Sequence, residues 1–275
     1  MGTVEAVVEM VDNLVAEGVD LIKAYEMLSP EQFKAVLDRA KEHDLPVTGH
    51  IPLSMLVSDA PNAGLRSMEH LRNLDMACSS DADLLLEQSR KMLEEGANDL
   101  GGILRSRIHR AQRGHAIATF DENLSKKVLQ TLADNGTWQI PTLALTTGRL
   151  TELSSNEEWK KTFRFLPEPS RTQWNEQATE YSQQPPDSIS LVVGKWSLEM
   201  VKRLDDAGVG FMAGTDTPIG FLTPGFSLHR ELEMLVRGGL SPLQVIKAQS
   251  SQSSERIGGF KLIADFKISQ RERLI

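Results

Sequence analysis

A chain of 275 residues can bury a sizeable core, either as one large domain or as two small ones. Its composition, 40% hydrophobic and 25% charged, excludes a disordered chain and a fibrous protein. The formal net charge is −8, and no dense run of lysine and arginine interrupts this acidic background, which argues against a surface for nucleic acid or for anionic membranes.

Cysteine content and hydropathy limit the setting in which the chain works. Cys78 is the only cysteine, which excludes an internal disulfide and a zinc site built on cysteines. No apolar stretch approaches the roughly 18 to 20 residues that cross a bilayer, and no signal-peptide core follows Met1. The expected location is therefore the cytoplasm, without a membrane partner.

Short apolar runs alternate with segments of helical periodicity along most of the chain. The apolar runs predict strands within residues 18–25, 45–52, 64–71, 137–145 and 208–216. The periodic segments predict helices at about 4–17, 30–43, 121–134 and 188–206, the second with Ser29 as its cap and Pro30 at its first position. This alternation is typical of βαβ units and predicts an α/β fold with a parallel sheet.

Two segments interrupt the alternation and are interpreted as insertions into a single domain, residues 1–275. Residues 78–118 predict one or two extra helices, whereas residues 148–186 are polar and rich in Glu, Gln, Ser and Pro. Each insertion follows the end of a predicted strand. Because barrel enzymes carry lids and substrate loops at that position, we expect both insertions to shape and cover a pocket.

Four of the predicted strands end close to a residue that could bind a metal or a substrate: Lys23, His50, His70 and Asp216. Each has a simpler explanation when taken alone. A histidine can be a hydrogen-bonded core residue, a lysine can extend to solvent, and an aspartate can cap a helix or form a turn. Because the carboxyl ends of parallel strands converge, all four together favour a shared site.

The mixture of residue types at these strand ends has a chemical explanation. Imidazole and carboxylate groups bind zinc and similar divalent ions, whereas an ammonium group binds no metal. Lys23 could serve as a ligand only after its amine reacts with carbon dioxide to form a carbamate. The run "DLIKAY" therefore raises the hypothesis of a carboxylated lysine.

Residues 18–71 and 208–248 resemble the amidohydrolase superfamily. The resemblance rests on "GVDLIKAYEMLSPEQFKAVLDRAKEHDLPVTGHIP", "GLRSMEHL" and "GVGFMAGTDTPIGFLTPGFSLHRELEMLVRGGLSPLQVIKA". Within the superfamily, these segments are most similar to the imidazolonepropionase-like group, which includes Xaa-Pro and Xaa-Arg dipeptidases. The resemblance implies a metal-dependent hydrolase on a (β/α)8 barrel of the TIM type.

The resemblance also implies roles for individual residues. Lys23 matches the carboxylated lysine, His50 and His70 match the metal-binding histidines of strands five and six, and Asp216 matches the strand-eight aspartate. That aspartate touches a metal and carries the proton between the attacking water and the leaving group. Tyr25 matches a position that contacts substrate. His229 could bind a substrate carbonyl or carboxylate, although a surface histidine at the start of a helix explains it equally well.

The chain departs from the family pattern in its first strands. No His-x-His pair precedes Lys23, and the resemblance begins just before strand four, so strands one to three are expected to be absent. Of the one or two divalent ions that the resemblance implies, zinc first, the remaining ligands support one. Carboxylated Lys23, His50 and His70 would hold it, and Asp216 would act as the base. The open sheet edges further predict a homo-oligomer or a longer parent protein.

Three functions remain open from the sequence. The first is hydrolysis of a C–N bond in a dipeptide, cyclic amide or other small molecule by a metal-activated water. The second is a non-catalytic remnant that binds a ligand or a partner. The third is hydrolysis of a lactone or phosphotriester at the same metal centre. The other histidines, His43, His109 and His115, are expected to be exposed structural residues.

Overall fold

The computed structural model describes residues 2–249 and contains a parallel sheet surrounded by helices. The four strands lie in chain order and are β1 Ile22–Ala24, β2 Val47–Gly49, β3 Ser67–Glu69 and β4 Trp138–Ile140. All three pairings are parallel. The predicted α/β class and the first four predicted strands are confirmed, although each strand occupies only the middle of its apolar run.

The fifth apolar run makes a single bridge instead of a strand. Phe211 pairs in parallel with Gln139 of β4, whose N–H donates to the Gly210 carbonyl oxygen at 2.9 Å. Met212 N–H still donates to the Gln139 carbonyl at 2.9 Å, but the next hydrogen bond of a parallel ladder would need an N–H from Pro141, which has none. The missing donor at Pro141 explains why the predicted strand at 208–216 does not extend along β4.

The predicted helices are confirmed, and all four begin at polar caps. They are α1 Val4–Glu17, α2 Pro30–Glu42, α7 Glu122–Asp134 and α11 Ser188–Asp206. Ser29 and Gln32 form a reciprocal capping box at the start of α2. Thr3, Asp121 and Asp187 accept backbone N–H groups at the starts of α1, α7 and α11. Local side-chain chemistry thus sets these boundaries.

The remaining helices are shorter or belong to the predicted insertions. They are α3 Asp59–Asn62, α4 Leu74–Ala77, α5 Ala82–Glu95, α6 Gly101–Ala118, α8 Leu143–Thr146, α9 Glu157–Lys160, α10 Glu168–Gln183, α12 Phe226–Arg237 and α13 Pro242–Gln249. Two 3₁₀ turns, Leu153–Ser155 and Lys161–Phe165, flank α9. Within residues 2–249 no helix is both long and apolar enough to cross a bilayer.

One large hydrophobic core holds the sheet against the long helices. It joins Phe33 of α2, Met68 of β3, Leu204 of α11 and Met234 of α12. The first insertion contributes a separate small core around Leu104, where α6 packs on the loop after β2. The sheet therefore packs against the long helices, and the first insertion packs on the loop that follows β2.

Candidate metal centre

The register of the sheet brings three functional side chains to one level at the strand ends. β1 aligns Lys23 with Thr48 of β2, and β2 aligns Thr48 with Ser67 of β3. Side chains two positions apart in a strand share a face. The next residues on that face are accordingly Tyr25, His50 and Glu69.

Glu69 lies at the centre of this group. Its Oε2 atom is 2.7 Å from Lys23 Nζ, 3.4 Å from His50 Nε2 and 3.5 Å from His70 Nε2. One ligand atom from each of His50, Glu69 and His70 lies within 4.8 Å of the others. Two imidazole nitrogens and a carboxylate oxygen are a donor set that zinc and related divalent ions accept.

His50 is held from its edge and from its face. Gly49 precedes it at φ 127°, where a side chain would overlap the Ala24 carbonyl, and this close approach lets the N–H of His50 donate to the same carbonyl at 3.0 Å. The Nδ1 atom of His50 lies 2.8 Å from Glu26 Oε1, and the Tyr25 ring stacks on the imidazole at 4.4 Å. These contacts point Nε2 toward Glu69.

His70 reaches the group through a turn in the backbone. Its φ of 61° ends β3 and swings the side chain to the face that carries Glu69. His70 Nδ1 lies 2.7 Å from Thr142 Oγ1, and this hydroxyl donates its own hydrogen to the Pro141 carbonyl at 2.7 Å. The Thr142 oxygen therefore accepts from His70 Nδ1–H, which leaves a lone pair on Nε2.

The two histidines fit a cation. His50 Nε2 is buried and has no hydrogen-bond partner in the part of the chain that the structure describes. The lone pair of His70 Nε2 faces Glu69 and also lies 3.8 Å from Asp216 Oδ2. Lone pairs and carboxylates that face one another repel unless a proton or a metal ion lies between them, so these atoms suit a divalent ion.

Burial and nearby charge shift the pKa values of these residues in different directions. Burial would raise the pKa of Glu69, but contacts with His50, His70 and Lys23 outweigh it and hold this pKa far below its ordinary value. Burial lowers the pKa of His70, whereas carboxylates on both sides raise that of His50 despite its burial. Glu69 is thus an anion across the physiological range.

The structure treats the other proposed site residues differently. Asp216 lies at φ 55° in an exposed loop, with Oδ2 at 3.8 Å from His70 Nε2. Tyr25 accepts a hydrogen bond from Arg105 Nη1 at 2.6 Å and stacks on His50. His229 is exposed on α12, and no contact joins it to the group among residues 2–249.

The prediction that His109 is exposed is wrong. Its side chain is buried on α6, where Nε2 lies 3.4 Å from Glu26 Oε2. The periodicity of α6 hides this because charged residues surround His109 in the sequence. His43 and His115 are exposed, as predicted.

Two carboxylates of the site, those of Glu69 and Glu26, were not identified from the sequence. Glu69 is not among the predicted site residues, although strand alternation from Ser67 indicates the inner face. Glu26 carries no such signal, because its partners are 24 and 83 positions away along the chain.

A cavity of about 900 Å³ lies on the far side of His109, and its lining residues include none of His50, Glu69 and His70. Helix α6 lines one side with His109, Arg110 and Arg113, while the second insertion contributes Arg149 and Tyr181. Because His109 contacts Glu26 and Glu26 contacts His50, the cavity wall is two contacts from the metal-binding group. Both insertions line the cavity; whether they cover a substrate there stays a prediction.

Comparison with solved structures supports the fold. The chain superposes on a bottromycin amidohydrolase with a TM-score of 0.67 at 21% identity, covering 95% of this chain and 52% of the other. A Xaa-Pro dipeptidase with bound methionine gives a TM-score of 0.54 at 15% identity, with coverages of 94% and 48%. A. niger ochratoxinase gives 0.54 at 18%, with coverages of 94% and 44%.

These comparisons define the class of fold and no more. The chain has the fold of amidohydrolases and spans about half the length of these solved structures. No protein-family model and no curated protein matches it. The particular subgroup, and the absence of the first strands, stay predictions.

Proposed function

We propose that the protein is a metal-dependent hydrolase that acts on C–N bonds of a dipeptide, cyclic amide or related small molecule. The observation that carries this proposal is the convergence of His50 Nε2, Glu69 Oε2 and His70 Nε2 within 4.8 Å of one another. Both histidines have their other nitrogen committed to a hydrogen bond, so both remaining nitrogens are free to bind an ion. The amidohydrolase fold supports the same class of reaction, by analogy alone.

The proposed reaction assigns metal binding, proton transfer and substrate orientation to different residues. His50, His70 and Glu69 bind a divalent ion, zinc first, which when bound lowers the pKa of water and polarises a carbonyl. Asp216, exposed and 3.8 Å from His70 Nε2, holds the proton taken from the attacking water and returns it to the leaving nitrogen. Tyr25 and the cavity beside His109 orient the substrate.

Lys23 can serve the site in two protonation and modification states. As an ammonium it neutralises Glu69, which it contacts at 2.7 Å. As a carbamate, the form that the family resemblance implies, it would add a carboxylate-like ligand. The ion pair favours a second candidate function, a non-catalytic protein that balances the charge of Glu69 without metal.

Metal content separates these two functions. The protein is incubated with zinc, with and without bicarbonate, and bound metal per chain is measured by plasma mass spectrometry. We expect about one ion per wild-type chain, loss of that ion in His70→Ala, and weaker, bicarbonate-independent binding in Lys23→Met. The exposed His43 provides the matched control, His43→Ala, which should keep the ion.

Three results would contradict the proposal or a part of it. Equal metal content in wild type and His70→Ala would show that His70 does not bind the ion, and it would favour the non-catalytic candidate. A metal-loaded protein that hydrolyses no dipeptide or cyclic amide, but cleaves a lactone or phosphotriester, would change the bond class. If Asp216→Asn were as active as wild type, Asp216 would not be the residue that carries the proton.

A further inference from the structure

Glu26 is the most deeply buried charged residue beside the candidate centre. It follows β1, its side chain is 0% exposed, and its two oxygens have different partners. Oε1 lies 2.8 Å from His50 Nδ1, whereas Oε2 lies 3.4 Å from His109 Nε2. A single carboxylate therefore joins the metal-binding group to the wall of the cavity.

We propose that Glu26 is a positioning residue: it fixes the orientation and tautomer of His50, and it ties His50 to His109. This inference rests on the proposed function, since it concerns how one metal-binding histidine is presented. Glu26 itself has no contact with the point where Glu69, His50 and His70 converge.

The hydrogen bond decides which nitrogen of His50 is available. An ionised carboxylate can only accept, so His50 Nδ1 carries the hydrogen, and in the neutral ring that binds a metal ion Nε2 carries the lone pair. The Tyr25 ring packs on the face of the imidazole and limits its tilt, while Glu26 limits its rotation about the Cβ–Cγ bond. A rotated ring would turn the lone pair away from Glu69.

Two arginines explain why Glu26 stays charged although it is fully buried. Arg72 Nε lies 3.4 Å from Oε1, and Arg105 Nε lies 3.6 Å from Oε2. Both Nε atoms are buried, and neither has a hydrogen-bond partner among the residues that the structure describes. Their positive charge favours the carboxylate form, which is the form that orients His50.

The contact with His109 extends this function to the cavity. His109 lines the cavity with one part of its ring and reaches Glu26 with Nε2. A ligand that moves His109 therefore also changes the partner of Glu26 Oε2. This connection gives the cavity a physical route to His50 that does not pass through the metal-binding atoms.

The test compares Glu26→Gln with a matched buried carboxylate. Asp75→Asn is the control, because Asp75 is 3% exposed and pairs with Arg113 at 2.7 Å but contacts no histidine. Histidine side chains labelled with ¹⁵N are followed by NMR in metal-free protein, and His50 is assigned from its loss in His50→Gln. Zinc affinity is then measured by competition with a chromophoric chelator.

We expect an Nδ1-protonated His50 in wild type whose signals move in Glu26→Gln and stay in place in Asp75→Asn. Zinc affinity should fall by about 10- to 100-fold in Glu26→Gln, the usual effect of removing a partner of a metal-binding histidine. The same comparison reports on His109, whose ring signals should also move in Glu26→Gln alone.

Unchanged His50 signals in folded Glu26→Gln would overturn the inference. If Glu26→Gln fails to fold by circular dichroism, Glu26→Asp replaces it, because that variant keeps the charge but withdraws the carboxylate; unchanged His50 signals there would overturn it equally. Absence of zinc binding in wild type would instead refute the proposed function, and the NMR comparison would still decide the role of Glu26.

Discussion

Two buried glutamates lie on either side of Thr142 and differ in charge. Glu69 is surrounded by Lys23 and two histidines, which keep it ionised. Glu231, fully buried on α12, accepts the N–H of Ala144 at 2.7 Å but faces no cation. Burial raises the pKa of Glu231 from its ordinary value of 4.5 to about 7, against the opposing effect of backbone hydrogen bonds. The cationic neighbours of Glu69 therefore account for the difference in charge between these two glutamates.

The raised pKa of Glu231 predicts a pH-dependent stability. Between its ordinary pKa of 4.5 and a folded value of about 7, the unfolded chain binds fewer protons than the folded one. The free energy of unfolding should therefore fall as pH rises through this window, by up to about 3 kcal/mol from this residue. Urea unfolding of Glu231→Gln between about pH 4 and pH 8 should show a correspondingly smaller fall.

A neighbouring glutamate on the same helix gives the control for this prediction. Glu233 is about half exposed and pairs with Arg230, so Glu233→Gln should follow the wild-type pH dependence within about 0.5 kcal/mol. Identical curves for wild type and Glu231→Gln would mean that Glu231 titrates normally in the folded protein.

Whether the role of a residue could be predicted depends on whether neighbouring residues in the sequence or distant ones set its position. His50 could be predicted as a strand-end residue, because a local pattern of apolar residues, Gly49 and Pro52 marks the end of β2. His70 is brought to the site by a positive φ that no local pattern announces. Glu26 needs contacts from the distant residues Arg72, Arg105 and His109, so only the folded chain reveals it.

At the scale of elements, the second insertion holds the loop that carries Asp216. Trp159 Nε1 donates to the Phe221 carbonyl at 2.8 Å, and the Thr162 and Thr223 hydroxyls lie 2.7 Å apart. Phe221 also contacts the rings of Phe163 and Trp174. These contacts fix residues 217–223 and, next to them, the carboxylate that faces His70.

Loss of the indole hydrogen bond should loosen this loop. In Trp159→Phe, backbone amides of residues 217–223 should exchange with deuterium faster, and stability should fall by about 1 kcal/mol. If Asp216 carries the proton, kcat should fall more than KM changes. Mass spectrometry of deuterium uptake checks the loop, and Trp174→Phe, which retains an aromatic ring beside Phe221, should leave the exchange near wild type. Equal uptake in all three proteins would mean that Trp159 does not hold the loop.

Elements with local signals could be predicted well, and those without them could not. The capping residues Ser29 and Asp187 mark the starts of α2 and α11 in the sequence itself. The run at 208–216 has the composition of a strand, yet Pro141, which follows β4, offers no N–H to extend the pairing beyond Met212. Composition describes what a segment prefers, whereas the length of its pairing depends on a partner strand in a distant part of the chain.

At the scale of the whole molecule, β1 is an end strand of the sheet. β1 pairs with β2, and no other strand of residues 2–249 lies along its second edge. Near this edge, Leu100 and Ile103 are 75% and 60% exposed at the start of α6, and Gly101 between them lies against Met27 of the loop after β1. Ile22 and Ala24 of β1 are buried, so it is the exposed apolar side chains of Leu100 and Ile103 that favour association with a second protein surface.

We therefore propose that the protein self-associates through this side. Light scattering during size-exclusion chromatography should give a mass of at least two chains, rising with concentration. Leu100→Asn combined with Ile103→Asn should shift the mass toward one chain, because both side chains are exposed and their loss removes apolar area without opening the core. Leu84→Asn, at an exposed position on α5, should leave the mass unchanged. A wild-type protein that stays monomeric at every concentration would contradict self-association. It would show that the helices around the sheet cover β1 well enough without a second chain.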